Sequence, residues 1–408
     1  MPAVLVAHDR PTCRFAWNAL LGAVQAHPAS RGVAVAVARS PTEVVREAAA
    51  ALGEGRRPVV GWSFYSASAA EVAAELARVR AELPDPRVLH VAGGAHPSGA
   101  PEATLRAGFD LAAVGEGEET LPRLLAAVAT GADPRGVPGL AWLDAGALRT
   151  SGRADPVDLD RFPPGAPEAG RAGPVEITRG CVWGCRFCQT PFLFRARFRH
   201  RSLSAIREAL REQRARRAVD VRFITPSALS FGSSDGSCDL AAVEALLAAA
   251  REEAGPSRRG ARVLFGTFPS ELRPEHVTPR ALALIRRYCD NRMVILGGQS
   301  GSDRLLAAMG RGHDAEAVRR AAAIALEEGF RPSVDFVFGL PGETEDDRAA
   351  TRRLVEALAR KGARVHAHAF DPLPGTPWRA EPPGRLDGAT RTLLARLHAG
   401  GRAYGEWR

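Results

Sequence analysis

Three cysteines, Cys181, Cys185 and Cys188, stand in a CxxxCxxC run inside Ile177-Thr-Arg-Gly-Cys-Val-Trp-Gly-Cys-Arg-Phe-Cys-Gln-Thr190. A loop of three thiolates can hold three irons of a four-iron cluster and leave the fourth iron open to a substrate. Structural zinc instead takes four Cys or His ligands, commonly as two close pairs. No second pair exists in the chain, so zinc would have to recruit a distant ligand such as His200, Cys238 or Cys289. A disulfide framework fits less well still, because the 6 cysteines of 408 residues are sparse and three of them crowd into one short run.

The elements that must position this loop fall into two sets. Between residues 3 and 130, short apolar stretches alternate with amphipathic ones, which predicts a parallel sheet covered on both faces. The strands read as Val4 to Ala7, Val33 to Ala38, Val59 to Ser63, Val88 to Ala92 and Leu111 to Val114, with helices such as Phe15 to Ala26 and Ala67 to Leu83 between them. This is a Rossmann-like, flavodoxin-like pattern, whose ligands bind at the carboxyl ends of the strands. Residues 131–173 are rich in proline, glycine and charge and read as a linker or wrapping segment.

From Pro174 a second α/β series begins. Its strands are expected at Val175 to Thr178, Val221 to Ile224, Arg262 to Phe265, Met293 to Leu296, Val334 to Phe338 and Val365 to Ala369. Helical periodicity fills the intervals, for example Leu203 to Arg216 and Asp346 to Lys361. The spacing predicts six βα units over residues 174–380, with the cysteine run directly after the first strand, and a helical tail over 381–408. Parallel α/β units of this kind keep their chemistry at the carboxyl ends of the strands.

The cysteine run, with the aromatic Phe187 just before its third cysteine, resembles the radical S-adenosylmethionine (SAM) superfamily. The later strand ends extend the resemblance to about residues 174–378. They read Thr225-Pro-Ser-Ala-Leu-Ser230, Gly266-Thr-Phe-Pro-Ser-Glu-Leu-Arg273, Gly297-Gly-Gln-Ser-Gly-Ser-Asp303 followed by Gly310-Arg-Gly-His313, Phe338-Gly-Leu-Pro-Gly-Glu343 and Phe370-Asp-Pro-Leu-Pro-Gly-Thr376. The resemblance implies that the six units form a partial (β/α)6 TIM-type barrel over residues 174–380, with a 4Fe-4S cluster on Cys181, Cys185 and Cys188 and SAM chelating the open iron. SAM would then be cleaved to a 5′-deoxyadenosyl radical. SAM contacts are expected from Phe187, Thr225, Ser227, Ser270, Gln299, Ser300, Arg311, Gly339 and Leu340. Glu271 and Arg273 are further candidates to orient SAM or substrate, and His313 to approach either. The GGE sequence common after the second strand is absent, and Gln299 stands where this branch usually has Glu, so that position carries hydrogen bonds without charge.

Ahead of the barrel, Gly61-Trp-Ser-Phe-Tyr-Ser66, Gly93-Gly-Ala-His-Pro97 and Val114-Gly-Glu-Gly-Glu118 resemble, in that order, the strand ends of the cobalamin-binding domain that precedes one large class of these enzymes. That resemblance covers residues 1–130 and nominates Ser63, Gly93, Gly94, Gly115 and Glu116 as cobalamin contacts. The DxHxxG motif that supplies a lower-ligand histidine is missing; the first loop reads His8-Asp-Arg-Pro-Thr-Cys-Arg14. Cobalamin would therefore sit without that histidine. His96 reads as a hydrogen-bonding turn residue and Cys13 as a buried structural cysteine.

Absences narrow the chemistry. Only Cys13 precedes the cluster run and no cysteine follows Cys289, which leaves no ligand set for a second cluster. Barely thirty residues follow Trp378, too few for a terminal RNA-binding barrel. The implied reaction is methyl transfer from cobalamin to an unactivated carbon or a phosphorus centre of a small, natural-product-like molecule. An external donor of flavodoxin or ferredoxin type would supply the electron. Oxidative or cyclising radical chemistry and a non-catalytic cobalamin or SAM sensor are the alternatives.

The net charge is +9, yet Lys361 is the only lysine, so the excess is arginine spread along the chain rather than a basic patch for nucleic acid. The densest group, Arg195, Arg197, Arg199 and Arg201 with His200, reads equally as a solvated strand edge or as an anion contact near the cofactors. The amino terminus lacks the basic flank and long apolar stretch of a leader, and no run of about eighteen apolar residues occurs. A cytoplasmic protein is expected, with no membrane partner.

Overall fold

The computed structural model describes residues 1–216, 220–256 and 261–407. It divides into two compact units, residues 1–173 and 174–408.

The first unit is built on seven strands: β1 (Ala3–His8), β2 (Ala34–Ala38), β3 (Arg57–Ser63), β4 (Leu89–Gly93), β5 (Leu111–Ala113), β6 (Leu140–Asp144) and β7 (Ala147–Thr150). The first five are parallel, in the order β2-β1-β3-β4-β5. That is the flavodoxin-like order, with its switch point between β1 and β3. Successive residues of β1 feed opposite faces, as the two-residue strand period requires. Leu5 and Ala7 pack with Trp17, Leu21 and Leu124, whereas Val4 and Val6 pack with Val44, Trp62 and Leu76.

The segment expected to be a linker contains more order than its composition suggests. β6 pairs antiparallel with β5, and β7 pairs with β6, so a hairpin extends the sheet. Its turn residues Ala145 and Gly146 have φ of 48° and 80°. Two left-handed residues match the right-handed twist of a tight hairpin. After it, the chain wraps back and is tied down by Arg171, whose Nη1 and Nη2 donate to Asp9 Oδ2 and Oδ1 at 2.7 and 3.0 Å.

The second unit contains β8 (Val175–Glu176), β9 (Thr178–Arg179), β10 (Arg199–His200), β11 (Asp220–Ile224), β12 (Arg262–Leu264), β13 (Met293–Gln299), β14 (Arg331–Phe338), β15 (Arg364–Ala369) and β16 (Ala403–Glu406). Two parallel sheets, β8-β11-β12 and β13-β14-β15-β16, are linked between β12 and β13 by Ile295 N–H to Gly266 O at 2.8 Å and Leu272 N–H to Ile295 O at 2.9 Å. The strands therefore follow chain order around an open barrel. Its helix-facing residues, among them Phe223, Val294, Phe336 and Val365, form one continuous core with helix residues such as Leu394. The region expected to be a helical tail holds the helix Gly388–Ala399 and then β16, which adds one strand beyond the six read from sequence. Ala403-Tyr-Gly-Glu406 has no β-branched residue; pairing with β15 makes it a strand.

Candidate active site at the carboxyl ends of the barrel strands

The cysteine loop lies between β9 and β10, which pair antiparallel and close its base. His200, in that base, bonds Thr178 Oγ1 through Nδ1 at 2.9 Å and Ser233 O through Nε2 at 2.7 Å. Both ring nitrogens are thereby occupied, which removes His200 as a zinc ligand. The loop docks on the turn after β13: Arg186 N–H donates to Met309 O at 2.9 Å, and Cys185 Sγ lies 3.8 Å from Gly310 O. Gln189 Nε2 reaches Pro374 O at 2.7 Å, which anchors the far end to the loop after β15.

Cys181 and Cys185 are buried and Cys188 is half-buried. Burial pushes the Cys181 thiol up to about 11 and raises that of Cys188. Such thiols are inert until a metal displaces their protons. Three thiols of one short loop, with both nitrogens of the neighbouring His200 occupied, match a cubane, which takes one thiolate at each of three irons, whereas structural zinc asks for four ligands. The donor set fits the cluster.

Beside the cysteines, Glu271, Gln299 and Arg311 crowd around Gly297. A Cβ built there would stand 2.9 Å from Arg311 Nη2, 3.2 Å from Gln299 Nε2 and 3.3 Å from Glu271 Oε2. Arg311 Nη2 donates to Gly297 O at 2.7 Å and Nη1 to Cys185 Sγ at 3.5 Å, while its buried Nε has no partner. Gln299 is buried, with φ of 69°, next to a register shift at the end of β13. A left-handed residue other than glycine costs on the order of 1–3 kcal/mol and tends to occur at functional sites. Crowding by the surrounding protein, with the charge of Asp335, raises the Glu271 carboxyl against the pull of Arg311 and His366, although the side chain itself stays open to solvent. A guanidinium, a neutral amide and a readily protonated carboxyl thus stand together at the cluster loop. That set suits the amino, carboxylate and hydroxyl groups of SAM.

Around this group the packing is tight. The Arg273 guanidinium lies 3.7 Å from the centre of the Trp183 ring, donates to Arg311 O and pairs with Glu275. Glu275 also lies 3.2 Å from His313 Nδ1. Burial alone would raise Glu275, but His313 and Arg273 outweigh it and hold the carboxyl at about 2. Arg273 and His313 therefore serve as the buttress of Arg311 and of the cysteine loop.

Other expected contacts are engaged locally. Thr225 Oγ1 donates to Ser227 O at 3.2 Å, Ser227 Oγ meets Ser230 Oγ at 2.9 Å, and Ser270 Oγ accepts from Gly266 N–H at 3.1 Å. Ser300 Oγ is turned to Thr351 Oγ1 at 3.2 Å. Gly339 N–H donates to Glu343 Oε2 at 3.2 Å, Leu340 is buried and Phe187 packs against the core. Of the arginine cluster, Arg195 and Arg197 are exposed, while Arg199 belongs to β10 and Arg201 is buried with Nε on Glu176 O at 3.1 Å. The strand-edge description fits that segment.

In the first unit, Ser63, Gly93, Gly94, Gly115 and Glu116 all lie at carboxyl ends of strands or directly after them. A Cβ at Gly115 would meet nothing within 4 Å, and at Gly93 only Ala113 Cβ at 3.8 Å, whereas at Gly94 it would press on Phe64 O at 3.0 Å and Ser63 Oγ at 3.2 Å. The open backbone after β4 and β5 lies at the carboxyl ends of the strands, where sheets of this order hold their ligands. Glu116 Oε2 instead accepts from Val157 N–H at 3.3 Å. His96 Nδ1 bonds Ser66 Oγ at 3.1 Å and Cys13 is buried.

Sequence reasoning passed over Asp335, His366, His368 and Tyr404 on β14 to β16. Asp335 Oδ1 lies 3.1 Å from His366 Nδ1, and His366 stacks on Tyr404 with ring centres 4.4 Å apart. The alternation Val365-His-Ala-His-Ala369 was the available signal, since polar residues on every second position mark one face of a strand.

Comparison with known proteins agrees with this arrangement. Residues 175–355 match the radical SAM superfamily and residues 19–125 the B12 binding domain. An uncharacterised protein of Methanopyrus kandleri is 27% identical over 345 residues, which cover 72% of this chain and 63% of that protein. A tRNA-2-methylthio-N(6)-dimethylallyladenosine synthase of Saccharophagus degradans is 31% identical over 221 residues, 52% of this chain and 45% of its own. The chain thus spans less than two thirds of either relative. The solved structure of the radical SAM methyltransferase TsrM from Kitasatospora setae, with cobalamin and a [4Fe-4S] cluster bound, superposes with a TM-score of 0.71 at 18% identity, over 99% of this chain and 76% of that one. That likeness is one of fold. The chain therefore carries a radical SAM superfamily domain over residues 175–355 and, ahead of it, a B12-binding domain over residues 19–125, a combination whose cofactors are a [4Fe-4S] cluster, SAM and cobalamin.

Proposed function

We propose that this protein is a cobalamin-dependent radical SAM methyltransferase that modifies an unactivated carbon or a phosphorus centre of a small molecule. The observation that carries the reading is the buried cysteine loop in direct contact with Arg311, beside Gln299 and Glu271, in a chain that also has a B12-binding domain. When bound, the cluster and SAM supply a 5′-deoxyadenosyl radical, and cobalamin supplies a transferable methyl group.

The residues of the chain prepare that chemistry. Cys181, Cys185 and Cys188 would each hold one iron. Arg311 places positive charge against Cys185 and would pair with the SAM carboxylate; Gln299 and Glu271 would receive its amino and hydroxyl hydrogens. Ser63, Gly93, Gly94 and Gly115 would line the corrinoid, with no protein histidine from DxHxxG beneath it. Methylation is the reaction named for one solved neighbour of the same fold, which is the ground for proposing it here.

Anaerobically reconstituted protein, supplied with SAM, methylcobalamin and dithionite, tests this. Formation of 5′-deoxyadenosine, with retention of cobalamin through gel filtration, is expected. Deoxyadenosine without bound cobalamin would sink methyl transfer, and cobalamin without any SAM cleavage would point to a sensor.

A further inference from the structure

Three charged side chains gather at Trp183, the cluster-loop residue between Cys181 and Cys185. Arg273 and Arg311 are buried, at 5% and 8% exposure, and the Glu275 side chain keeps 22%. They come from two separate segments: Arg273 and Glu275 follow β12, and Arg311 follows β13. A glycine lets the second segment close on the tryptophan. Gly312 has φ of 74°, and a Cβ there would stand 2.7 Å from Trp183 Cζ3. The Arg273 guanidinium covers the same ring at 3.7 Å.

Polar contacts link the carboxylate to the thiol. Arg311 Nη1 donates to Cys185 Sγ at 3.5 Å, Arg273 Nη2 donates to Arg311 O, and Arg273 Nε donates to Glu275 Oε1. Glu275 Oε2 lies 3.2 Å from His313 Nδ1, whose Nε2 lies 3.4 Å from Gly298 O. Two guanidinium groups held in one buried place repel each other. The effect reaches Arg273, whose pKa is lowered by burial and by the charge of Arg311, against the pull of Glu275. Among the described residues Glu275 is the only carboxylate in an ion pair with Arg273, and Arg311 is in none. Glu275 is therefore the counter-charge of the group.

Charge and hydrogen bonds at the sulfurs set the reduction potential of a cluster held by cysteines. Guanidinium groups near the thiolates favour the reduced cluster, which carries one more electron. A carboxylate that neutralises one of them opposes reduction. We propose that Glu275 is a positioning residue that holds the potential of the cluster below the value the two arginines alone would give. It acts through Arg273 and Arg311 without touching the cluster. Glu275 thereby decides how strong a one-electron donor, of flavodoxin or ferredoxin type, the protein requires. The proposal rests on the cysteine run holding a [4Fe-4S] cluster, as argued above.

Potentiometric titration of full-length, reconstituted protein without SAM, followed through the electron paramagnetic resonance of the reduced cluster, is the test. Glu275→Gln keeps the shape and an acceptor for Arg273. Its potential should rise by about 59 mV, a tenfold change in the one-electron equilibrium. Arg273→Gln should shift the potential the other way, and the double variant should return toward the wild type. Glu275→Asp, which keeps the charge, should stay near the wild-type value.

Damage to packing alone would move the two single Gln variants in the same direction. Shifts of one sign in both, or an unmoved potential in cluster-replete Glu275→Gln, overturn the proposal. Should Glu275→Gln not fold, an unmoved or raised potential in Arg273→Gln, or a clear rise in Glu275→Asp, does the same. These outcomes leave the cluster itself in place, whereas wild-type protein that binds no iron on reconstitution sinks the radical SAM reading as well.

Discussion

The guanidinium of Arg311 bridges Cys185 Sγ, at 3.5 Å, and Gly297 O, at 2.7 Å. One planar side chain thus joins the cluster loop to the end of the fourth barrel strand. Lysine cannot span both acceptors at once. Arg311→Lys is expected to weaken SAM binding about tenfold, the loss of one charge-assisted hydrogen bond of about 1.5 kcal/mol. Equilibrium binding of SAM to the reconstituted variant measures it, and unchanged affinity would remove Arg311 from the site.

Cys185→Ala should abolish both iron retention and deoxyadenosine formation, whereas Cys13→Ala should leave both intact. Cys13 is buried in the first unit, among Leu5, Ala7 and Trp17. Iron and sulfide analysis after reconstitution distinguishes the two variants. Equal cluster loss in both would show that the cysteine run is not the specific ligand set.

Gly297→Ala places a methyl group against Arg311, Gln299 and Glu271, the nearest at 2.9 Å. The cluster loop makes no such contact with that position, so the expected outcome is a cluster-replete protein with impaired SAM binding. A variant with wild-type SAM affinity would show that the three side chains move aside freely.

Glu343 gives the pH signature. Burial raises its carboxyl to about 7 from 4.5, with Asp347 and Asp387 adding to the rise and Arg348 and Gly339 N–H opposing it. The folded protein therefore holds a proton that the unfolded chain has released, and stability falls as pH rises from about 4.5 to about 7. Glu343→Gln keeps the shape and removes the titration. We expect it to raise stability at pH 8 by on the order of 1 to 2 kcal/mol, allowing for the partial exposure of the group. Urea denaturation at pH 5 and pH 8 is the measurement; an equal effect of the substitution at both pH values contradicts the assignment.

Arg171→Ala should free the wrapping segment. The pair with Asp9 is almost buried, with side-chain exposures of 11% and 6%. Removing one partner of a buried pair typically costs about 3–5 kcal/mol. Limited proteolysis should cut within residues 151–173 of the variant and spare the wild type.

Much of this molecule was legible in the amino-acid order. The short continuous apolar runs located β1 to β5 and the main strands of the barrel, because a strand buried on both faces is apolar throughout. The cysteine spacing named its own chemistry, since ligands from one short loop need no folding to bring them near each other. Missing were the hairpin β6–β7, whose proline- and glycine-rich neighbourhood hid it, and β16, which is a strand only because β15 offers an edge.

What the tertiary structure alone decided was which polar side chains meet. Thr225, Ser227 and Ser270 had promising positions, yet short hydroxyl side chains bond to nearby backbone, and here they do. Arg311 lies 126 residues from Cys185, and Asp335 lies 31 from His366. Such pairs leave no local trace, because strand register and barrel curvature, not sequence spacing, set the distances between them. The sequence by itself determined a three-thiolate loop on an α/β barrel behind a parallel-sheet domain; docking of the segment after β13 on that loop decided that Arg311 guards it, and register across β14 to β16 that a histidine pair lies beside Asp335 and Tyr404.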